Sequence, residues 1–190
     1  MSGTTGAVHW ISSLAMGADD VECRVATDDD WPEIWPIMSA IVGRGDTYTY
    51  PPDIAERDAR SSWMLEETDR AATYVATLDG AVVGTAQLKA NLPGLGDHVA
   101  NAAWMVDPTA AGRGVGRDLA EYVLGEARRL GFRAMQFNAV VETNTRAIAL
   151  WQSLGFTIVG TVPGAFRHVD AGDVAVHIMH RDLEDLARYS

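Results

Sequence analysis

The chain has 190 residues, 47% of them hydrophobic, which is enough for one well-filled core and too little for two. Its 26 acidic residues outnumber its 15 lysines and arginines, giving a net charge of -11 that repels nucleic acids and anionic membranes. The single cysteine, Cys23, excludes an internal disulfide and a cysteine-based metal site, and it is compatible with a cytoplasmic location.

Residues 1–20 differ in composition from the rest of the chain. They lack the basic start and the continuous apolar segment of a signal peptide. No run of the sequence approaches 18 apolar residues, so we expect no membrane span. We therefore expect residues 1–20 to be a flexible N-terminal extension and residues 21–190 to form one domain.

Strands and helices are predicted from residue periodicity, turn residues and helix start and stop signals. In chain order they are a strand at 21–27, a helix at 28–45, a helix at 53–67, a hairpin at 72–91 that turns at Asp79–Gly80, a strand at 98–107, a helix ending near Leu130, a strand at 133–141, a helix at 144–154, and strands at 156–164 and 173–183. The passage from 98 to 141 predicts a parallel pair joined by a right-handed crossover. We expect an α/β (α+β) domain with a mixed sheet of about seven strands.

The segment "AGRGVGR" at residues 111–117 stands at the start of the long third helix. Its glycines leave the N–H groups of the first helical turn uncovered, and its two arginines add positive charge. This pattern is typical of an anion site, although turn formation and tight helix packing are an alternative use of the glycines. Arg117 replaces the third glycine of a dinucleotide fingerprint, and the only lysine, Lys89, lies elsewhere, so the segment is not a P-loop.

Two longer motifs carry a family resemblance. "MVDPTAAGRGVGRDLAEYVL" at 105–124, followed by "NTRAIALWQSLGF" at 144–156, resembles the GCN5-related N-acetyltransferases (GNAT). The resemblance covers roughly residues 21–182 and implies that 21–190 is an acetyltransferase domain. It also implies helices on both faces of the sheet and acetyl-CoA bound where the fourth and fifth strands splay apart.

The resemblance implies a set of cofactor-binding residues. His9 and His180 show no metal-ligand spacing with any other residue, so we predict no metal. The backbone of Met105 and Val106 would pair with the pantetheine, and Asn144 would contact it. The pyrophosphate would be held by the amides of the glycine segment, namely those of Gly112, Arg113, Gly114, Val115, Gly116 and Arg117.

Two positions depart from the family pattern. The family's leading Arg or Gln falls on Ala111, which removes one side-chain clamp but leaves the backbone donors. The family's tyrosine, a frequent proton donor to the departing thiolate, falls on Trp151, and an indole cannot deliver that proton. Either another group protonates the thiolate or it leaves unprotonated; core packing is the alternative use of Trp151.

A closer resemblance rests on "GDTYTYPPD", "MQFNAVVETN" and "PGAFRHVDAGDV". These segments resemble a branch that includes small-amine acetyltransferases, among them fungal enzymes that acetylate proline analogues. The resemblance implies that Asn101 and Asn138 contact the substrate or the thioester. The alternative is that both asparagines satisfy backbone groups at irregular strand positions, because an unpaired amide in an apolar strand is costly.

The reaction also needs a base and an acceptor pocket. Because free amines are mostly charged at neutral pH, a base or a water chain must remove a proton; the candidates are Glu142 and His98. Glu142 could instead cap the following helix. For the acceptor we predict substrate contacts from two segments that could equally be ordinary surface loops, with the side chains of Tyr48, Tyr50, Arg167 and His168.

The sequence therefore predicts an N-acetyltransferase that moves an acetyl group from acetyl-CoA to a small-molecule amine, an amino acid or its analogue. Two alternatives stay open: a protein or peptide N-acetyltransferase, and a non-catalytic acyl-CoA-binding module. We expect neither a nucleic-acid nor a membrane partner; a homodimer is compatible with the fold.

Overall fold

The computed structural model describes residues 21–184 and contains a seven-stranded mixed sheet flanked by helices on both faces. Its elements are β1 (Glu22–Val25), α1 (Trp31–Val42), α2 (Glu56–Trp63), β2 (Ala71–Leu78), β3 (Ala81–Ala90), β4 (Val99–Val106), α3 (Val115–Arg129), β5 (Ala134–Val141), α4 (Thr145–Ser153), β6 (Thr157–His168) and β7 (Gly172–Asp182), with short 3-10 turns before α1, β4 and α3. The strand order is β1-β2-β3-β4-β5-β7-β6, and only the β4–β5 pair is parallel. The predicted fold class and the number of strands are confirmed; the expectation for residues 1–20 lies outside the described residues.

The helices lie on opposite faces because the strands alternate their side chains between two apolar cores. The α3/α4 face buries Leu119, Val123 and Trp151 against the sheet. The α1/α2 face buries Met38 and Trp63. Fully burying one such side chain contributes roughly 1.5–3 kcal/mol. None of the helices between residues 21 and 184 is apolar over a length that could cross a membrane.

The second helix is shorter than the sequence predicts at both ends. Pro51 begins a turn instead, because its carbonyl accepts a hydrogen bond from Ile54 N at 3.0 Å. At the other end Met64 is extended, with ψ 98°. The Thr73 hydroxyl accepts from the next amide, that of Leu65, at 2.9 Å. The helix therefore runs only from Glu56 to Trp63.

The sixth strand is longer than predicted. The segment "PGAFRH" was expected to be a loop, but the β6–β7 hairpin continues through it. Phe166 pairs with Val174, and His168 pairs with Gly172. Burial of Phe166 against the seventh strand stabilises this extension, so the residues predicted to reach the acceptor mouth from a loop are held in a ladder.

Strands β4 and β5 separate soon after they meet. Their parallel pairing is limited to Val99 with Ala134 and Ala100 with Met135. Beyond that point β5 keeps pairing with β7, with an irregularity between Phe137 and Val140; such bulges bend a strand away from its neighbour. The predicted splay between the fourth and fifth strands is present, and it opens the gap that holds the candidate site.

Candidate active site

A cleft of about 930 Å³ occupies the gap between β4 and β5 and is lined from both faces of the sheet. On one face its walls come from the start of α3 and from α4. On the other face they come from the loop after α1 and from the end of α2. The cleft therefore runs through the sheet, which lets an extended ligand enter on one face and present its end on the other.

The entrance at α3 is built from backbone donors. Gly114 is the N-cap residue and adopts φ 85°, a left-handed conformation that favours glycine. The carbonyl of Gly114 receives the amide of Arg117 at 2.8 Å, so the amides of Val115 and Gly116 have no earlier helical carbonyl to bond. Gly112, Gly114, Val115, Gly116 and Arg117 all line the cleft, and the helix start favours an anion there.

The backbone of β4 supplies polar groups inside the gap, and alternation within the β3–β4 ladder identifies them. Val99 O accepts from Asn91 N, and Asp107 N donates to Val83 O, each at 2.8 Å. In an antiparallel ladder, residues two apart point their backbone groups to the same side. Odd-numbered residues therefore face β3, and even-numbered residues face the gap. This corrects one prediction: Met105, in register with Thr85, turns its backbone to β3, and the residues that face the gap are Trp104 and Val106.

Tyr48 restrains the carbonyl of Trp104, one of the backbone groups that face the gap. Its hydroxyl donates a hydrogen bond to the Trp104 carbonyl. The Tyr48 ring is held between the ring of Tyr50, at a centroid distance of 6.2 Å, and the buried ring of Trp63, at 6.3 Å. Burial raises the pKa of the Tyr48 hydroxyl well above its ordinary value, so Tyr48 remains a neutral donor. Both predicted tyrosines line the cleft.

The two predicted asparagines lie on the α1/α2 face of the gap and line the cleft. Asn101 donates from Nδ2 to the carbonyl of Gln136 across the diverging strands, at 2.8 Å. Asn138 instead bonds to other amide side chains. Its Nδ2 donates to Asn91 Oδ1 at 2.7 Å, and its Oδ1 accepts from Gln136 Nε2 at 2.9 Å. Asn138 is exposed, and backbone satisfaction does not account for it.

Trp151 belongs to an aromatic wall on the α3/α4 face of the cleft. Its ring centroid lies 4.6 Å from that of Trp104 and 4.9 Å from that of Phe137. Trp151 is 8% exposed and so packs in the core, yet it also lines the cleft. The buried Nε1 of Trp104 has no hydrogen-bond partner within residues 21–184.

Asn144 begins α4 at the edge of the cleft. Its Oδ1 accepts from Ala147 N at 3.2 Å and caps the helix. The side chain still lines the cleft, and its Nδ2 remains a donor. The predicted contact with a cofactor arm is therefore compatible with the capping role.

The cleft lining does not include the predicted side chains of Glu142, Arg167 and His168. Glu142 accepts from the backbone of Ala175 at 2.7 Å and so joins β5 to β7. Arg167 is 91% exposed and lies 3.8 Å from Asp173. His168 uses Nδ1 to accept backbone amides of the β6–β7 turn. The ladder pairing of β6 directs Arg167 and His168 to this hairpin, and the structure does not bring them to the acceptor mouth.

The cleft is more basic than the chain as a whole. Arg44, Arg117 and Arg146 line it, whereas Asp107 is the sole carboxylate lining it among residues 21–184. Arg113 is exposed and is not part of the lining. Sequence reasoning missed Arg44, in the turn after α1, and Arg146, on α4, because the sequence carries no signal of which way either side chain faces.

Polar residues within apolar strands were the available signal for two further residues. Gln87 lies in β3 and lines the cleft. Gln136 in β5 donates a hydrogen bond to the side chain of Asn138. Both interrupt apolar runs, as Asn101 and Asn138 do. No cluster of three or more His, Cys, Asp or Glu side chains suited to a metal is present between residues 21 and 184.

Comparison with known proteins identifies the relatives of this arrangement. Residues 31–156 match the family model described as "Acetyltransferase (GNAT) family". A solved GCN5-related N-acetyltransferase from Kribbella flavida is 51% identical, with a TM-score of 0.82, over 85% of this chain and 97% of that chain. N-acetyltransferase aca1 of Schizosaccharomyces pombe is 38% identical over 109 residues; the match covers 55% of this chain and about half, 52%, of that protein.

A more distant solved structure contains acetyl-CoA. It is a GNAT superfamily phosphinothricin acetyltransferase from Sinorhizobium meliloti in complex with AcCoA. It is 22% identical, with a TM-score of 0.77, over 85% of this chain and 88% of that chain. At that identity the likeness shows a shared fold.

Proposed function

Because this chain belongs to the GNAT acetyltransferase family, we propose that it transfers the acetyl group of acetyl-CoA to the amine of a small molecule, an amino acid or its analogue. One observation carries the proposal: the cleft crosses the sheet and joins an anion-binding helix start to a polar, amide-lined face. Acetyl-CoA has this polarity, with a pyrophosphate at one end and a thioester at the other.

The residues present fit this ligand. The free amides of Val115 and Gly116, with Arg117 beside them, suit the pyrophosphate. The backbone groups of Trp104 and Val106 that face the gap suit the amides of the pantetheine, which would pair with β4 as a strand would. The bound acetyl-CoA supplies an activated acyl carbonyl, and the protein must orient it and stabilise charge on its oxygen.

Fixed backbone donors can stabilise that oxygen. The N–H groups of Trp104 and Val106 are held by the β3–β4 ladder, and Tyr48 further restrains the Trp104 peptide through its carbonyl. A preorganised donor at a developing oxyanion contributes roughly 3–4 kcal/mol. Tyr48 is thus a positioning residue for the acyl site.

Trp151 offers no acid for the thiolate. Its indole N–H donates a hydrogen bond but gives up no proton at useful pH, and Tyr48, whose pKa is raised, is a poor acid as well. We infer that the thiolate leaves unprotonated, as a thiol of ordinary acidity permits.

Amine deprotonation is assigned to water. The titratable side chains that line the cleft between residues 21 and 184 are Arg44, Tyr48, Tyr50, Asp107, Arg117 and Arg146. Asp107 accepts from Thr109 at the start of the 3-10 turn, and His98 is exposed outside the cleft. We infer that Asn138 orients the amine by hydrogen bonding while a water chain removes its proton.

The walls of the acceptor face support a small acceptor. The tip of the β6–β7 hairpin contacts the loop after α1, where Val169 N donates to Gly45 O at 3.3 Å. This contact restrains the loop after α1, which supplies Tyr48 and Tyr50 to the cleft lining. Arg44, which also pairs with Asp46 at 3.3 Å, places a guanidinium in the lining that suits an amine carrying a carboxylate.

Incubation of the purified chain with acetyl-CoA and a panel of amines tests the proposal. The panel contains amino acids, cyclic imino acids, polyamines and short peptides, and free thiol is measured together with the mass of the product. We expect amine-dependent thiol release with amino acids or their analogues. Release with peptides alone would identify a peptide acetyltransferase, and CoA binding without release would identify a non-catalytic module.

A further inference from the structure

Arg181 on β7 is a half-buried cation that makes no ion pair within residues 21–184, although the Glu121 carboxylate acts on it electrostatically from a longer distance. No carboxylate within residues 21–184 lies within ion-pairing distance of it. Its guanidinium packs beneath Gly155, where an added Cβ would lie 3.4 Å from Arg181 Nε. Burial lowers the pKa of Arg181. A partly desolvated guanidinium is costly unless an anion pairs with it.

Arg181 lies in a groove that is unusually basic for this chain. The groove has a volume of about 890 Å³ and runs between the outer face of α3 and the end of α4. Arg117, Arg128 and Arg129 also line it, with Glu121 as its one carboxylate among the described residues. We call it the arginine groove. Such clustering in a chain of net charge -11 marks a local anion site rather than general basicity.

The arginine groove adjoins the candidate cleft. Arg117 lines both cavities, and its guanidinium donates to Ser153 Oγ at 2.7 Å. It also pairs with Glu121 at 3.3 Å, with both side chains about half exposed. Such a surface pair is weak, so a phosphate dianion can compete with Glu121 for Arg117.

We propose that the arginine groove binds the 3′-phosphate of coenzyme A, with Arg181 and Arg128 as its main ligands. The inference rests on the proposed function, because a ligand whose pyrophosphate sits at the start of α3 places its ribose next to Arg117. A phosphate monoester carries nearly two negative charges and accepts bidentate hydrogen bonds from guanidinium groups. Arg129 is already paired with Glu126 at 2.8 Å and contributes less.

Kinetics with acetyl-CoA and with acetyl-dephospho-CoA test the proposal, because the two donors differ only in the 3′-phosphate. For the unmodified protein we expect a KM at least about tenfold lower for acetyl-CoA, as one charge-assisted contact provides. R181Q and R128Q should each raise the KM for acetyl-CoA and leave the KM for acetyl-dephospho-CoA and both kcat values unchanged. R57Q, an exposed arginine on α2, is the matched control and should change neither KM.

Equal KM values for the two donors in the unmodified protein would overturn the proposal, and so would an equal rise in both KM values in R128Q. Melting temperatures show whether R181Q folds, and the exposed Arg128 keeps the test decisive if it does not. If no amine is acetylated, calorimetry with CoA and dephospho-CoA gives the same comparison. Failure of the proposed function is then distinct from failure of the groove assignment.

Discussion

At the scale of single residues, Asn101 and Asn138 lie on the same face of the sheet but form different kinds of hydrogen bond. Asn101 donates to the carbonyl of Gln136, which the divergence of β4 from β5 leaves without a ladder partner. Asn138 uses both atoms of its amide on side chains, Asn91 and Gln136, and remains exposed to the cleft. The first amide serves the fold, and the second is available to a ligand.

We therefore expect Asn138→Ala to lower kcat/KM by roughly tenfold or more, the loss of one oriented hydrogen bond. Its melting temperature should not change, because the side chain is exposed. Asn101→Ala is the matched control. This change leaves the partly buried carbonyl of Gln136 without its hydrogen-bond donor. It should lower the unfolding free energy by about 1–3 kcal/mol and the melting temperature by several degrees. A lower melting temperature in Asn138→Ala would assign that residue to the fold as well.

The absence of a histidine or a free carboxylate from the described cleft lining predicts the pH dependence. We expect log kcat/KM to rise with unit slope up to the pKa of the acceptor amine and to move with that pKa when the amine is changed. The pKa of Tyr48 is raised, so its donor form persists through this range and produces no alkaline decline. A rise fixed near pH 6.5 for every amine would instead indicate a protein base.

At the scale of elements, the start of α3 contributes a glycine to the cleft lining that the packing of the helix does not explain. Gly116 has ordinary helical geometry, and a Cβ there would meet only Val106 at 3.7 Å and Leu150 at 3.8 Å, which is normal contact. Both neighbours line the cleft, so the added carbon would occupy ligand space without straining the protein. Packing within the protein therefore does not require a glycine at this position.

We expect Gly116→Ala to raise the KM for acetyl-CoA by roughly tenfold while the melting temperature stays the same or rises, since alanine favours the helix by about 1 kcal/mol. Ser39→Ala, on the exposed side of α1 and outside both cavities, should also favour its helix and leave KM unchanged. Equal KM values in the two variants would argue against ligand contact at Gly116.

The alternation of β4 gives a second prediction for this scale. The amides of Trp104 and Val106 face the gap, and the amide of Met105 is bonded to β3. Hydrogen exchange should therefore be faster at Trp104 and Val106 than at Met105 in the free protein, and CoA should slow exchange at the first two. Protection of Met105 alone on binding would show that the ladder has the opposite register.

At the scale of the whole molecule, the sheet consists of two parts, β1–β4 and β5–β7, that meet at two paired positions. The α3/α4 core spans both parts, and the cleft occupies the rest of their junction. A ligand lying in the gap contacts β4, α3 and α4 together. Binding should therefore stabilise the whole domain rather than one loop.

A CoA concentration of one hundred times Kd should add about 2.7 kcal/mol to the unfolding free energy. For a domain of this size, that corresponds to a rise in melting temperature of roughly 5–10 °C. Scanning calorimetry at increasing CoA concentration measures it, and Gly116→Ala, with weaker binding, should show a smaller rise at the same concentration. A single melting transition without any shift would contradict binding in the gap.

Local signals in the sequence were sufficient for the elements and for the family. Alternation and helical periodicity are short-range properties, so they predicted the seven strands. The motifs "AGRGVGR" and "NTRAIALWQSLGF" carried the resemblance to the GNAT acetyltransferase family. Ladder register was not accessible in this way. Met105 and Val106 are adjacent in the chain, and only pairing with β3 decides which of them faces the gap.

Tertiary structure also decided which side chains converge. Glu142 and Arg167 looked suitable by type and position, but β7 engages the first and the β6–β7 hairpin carries the second away from the cleft. Arg44 and Arg181 gave no sequence signal, since they reach their cavities only when distant elements pack together. Periodicity depends on neighbouring residues and can therefore be read from the sequence. Which side chains meet in a cavity depends on contacts between residues far apart in the chain, and a single sequence does not reveal those contacts.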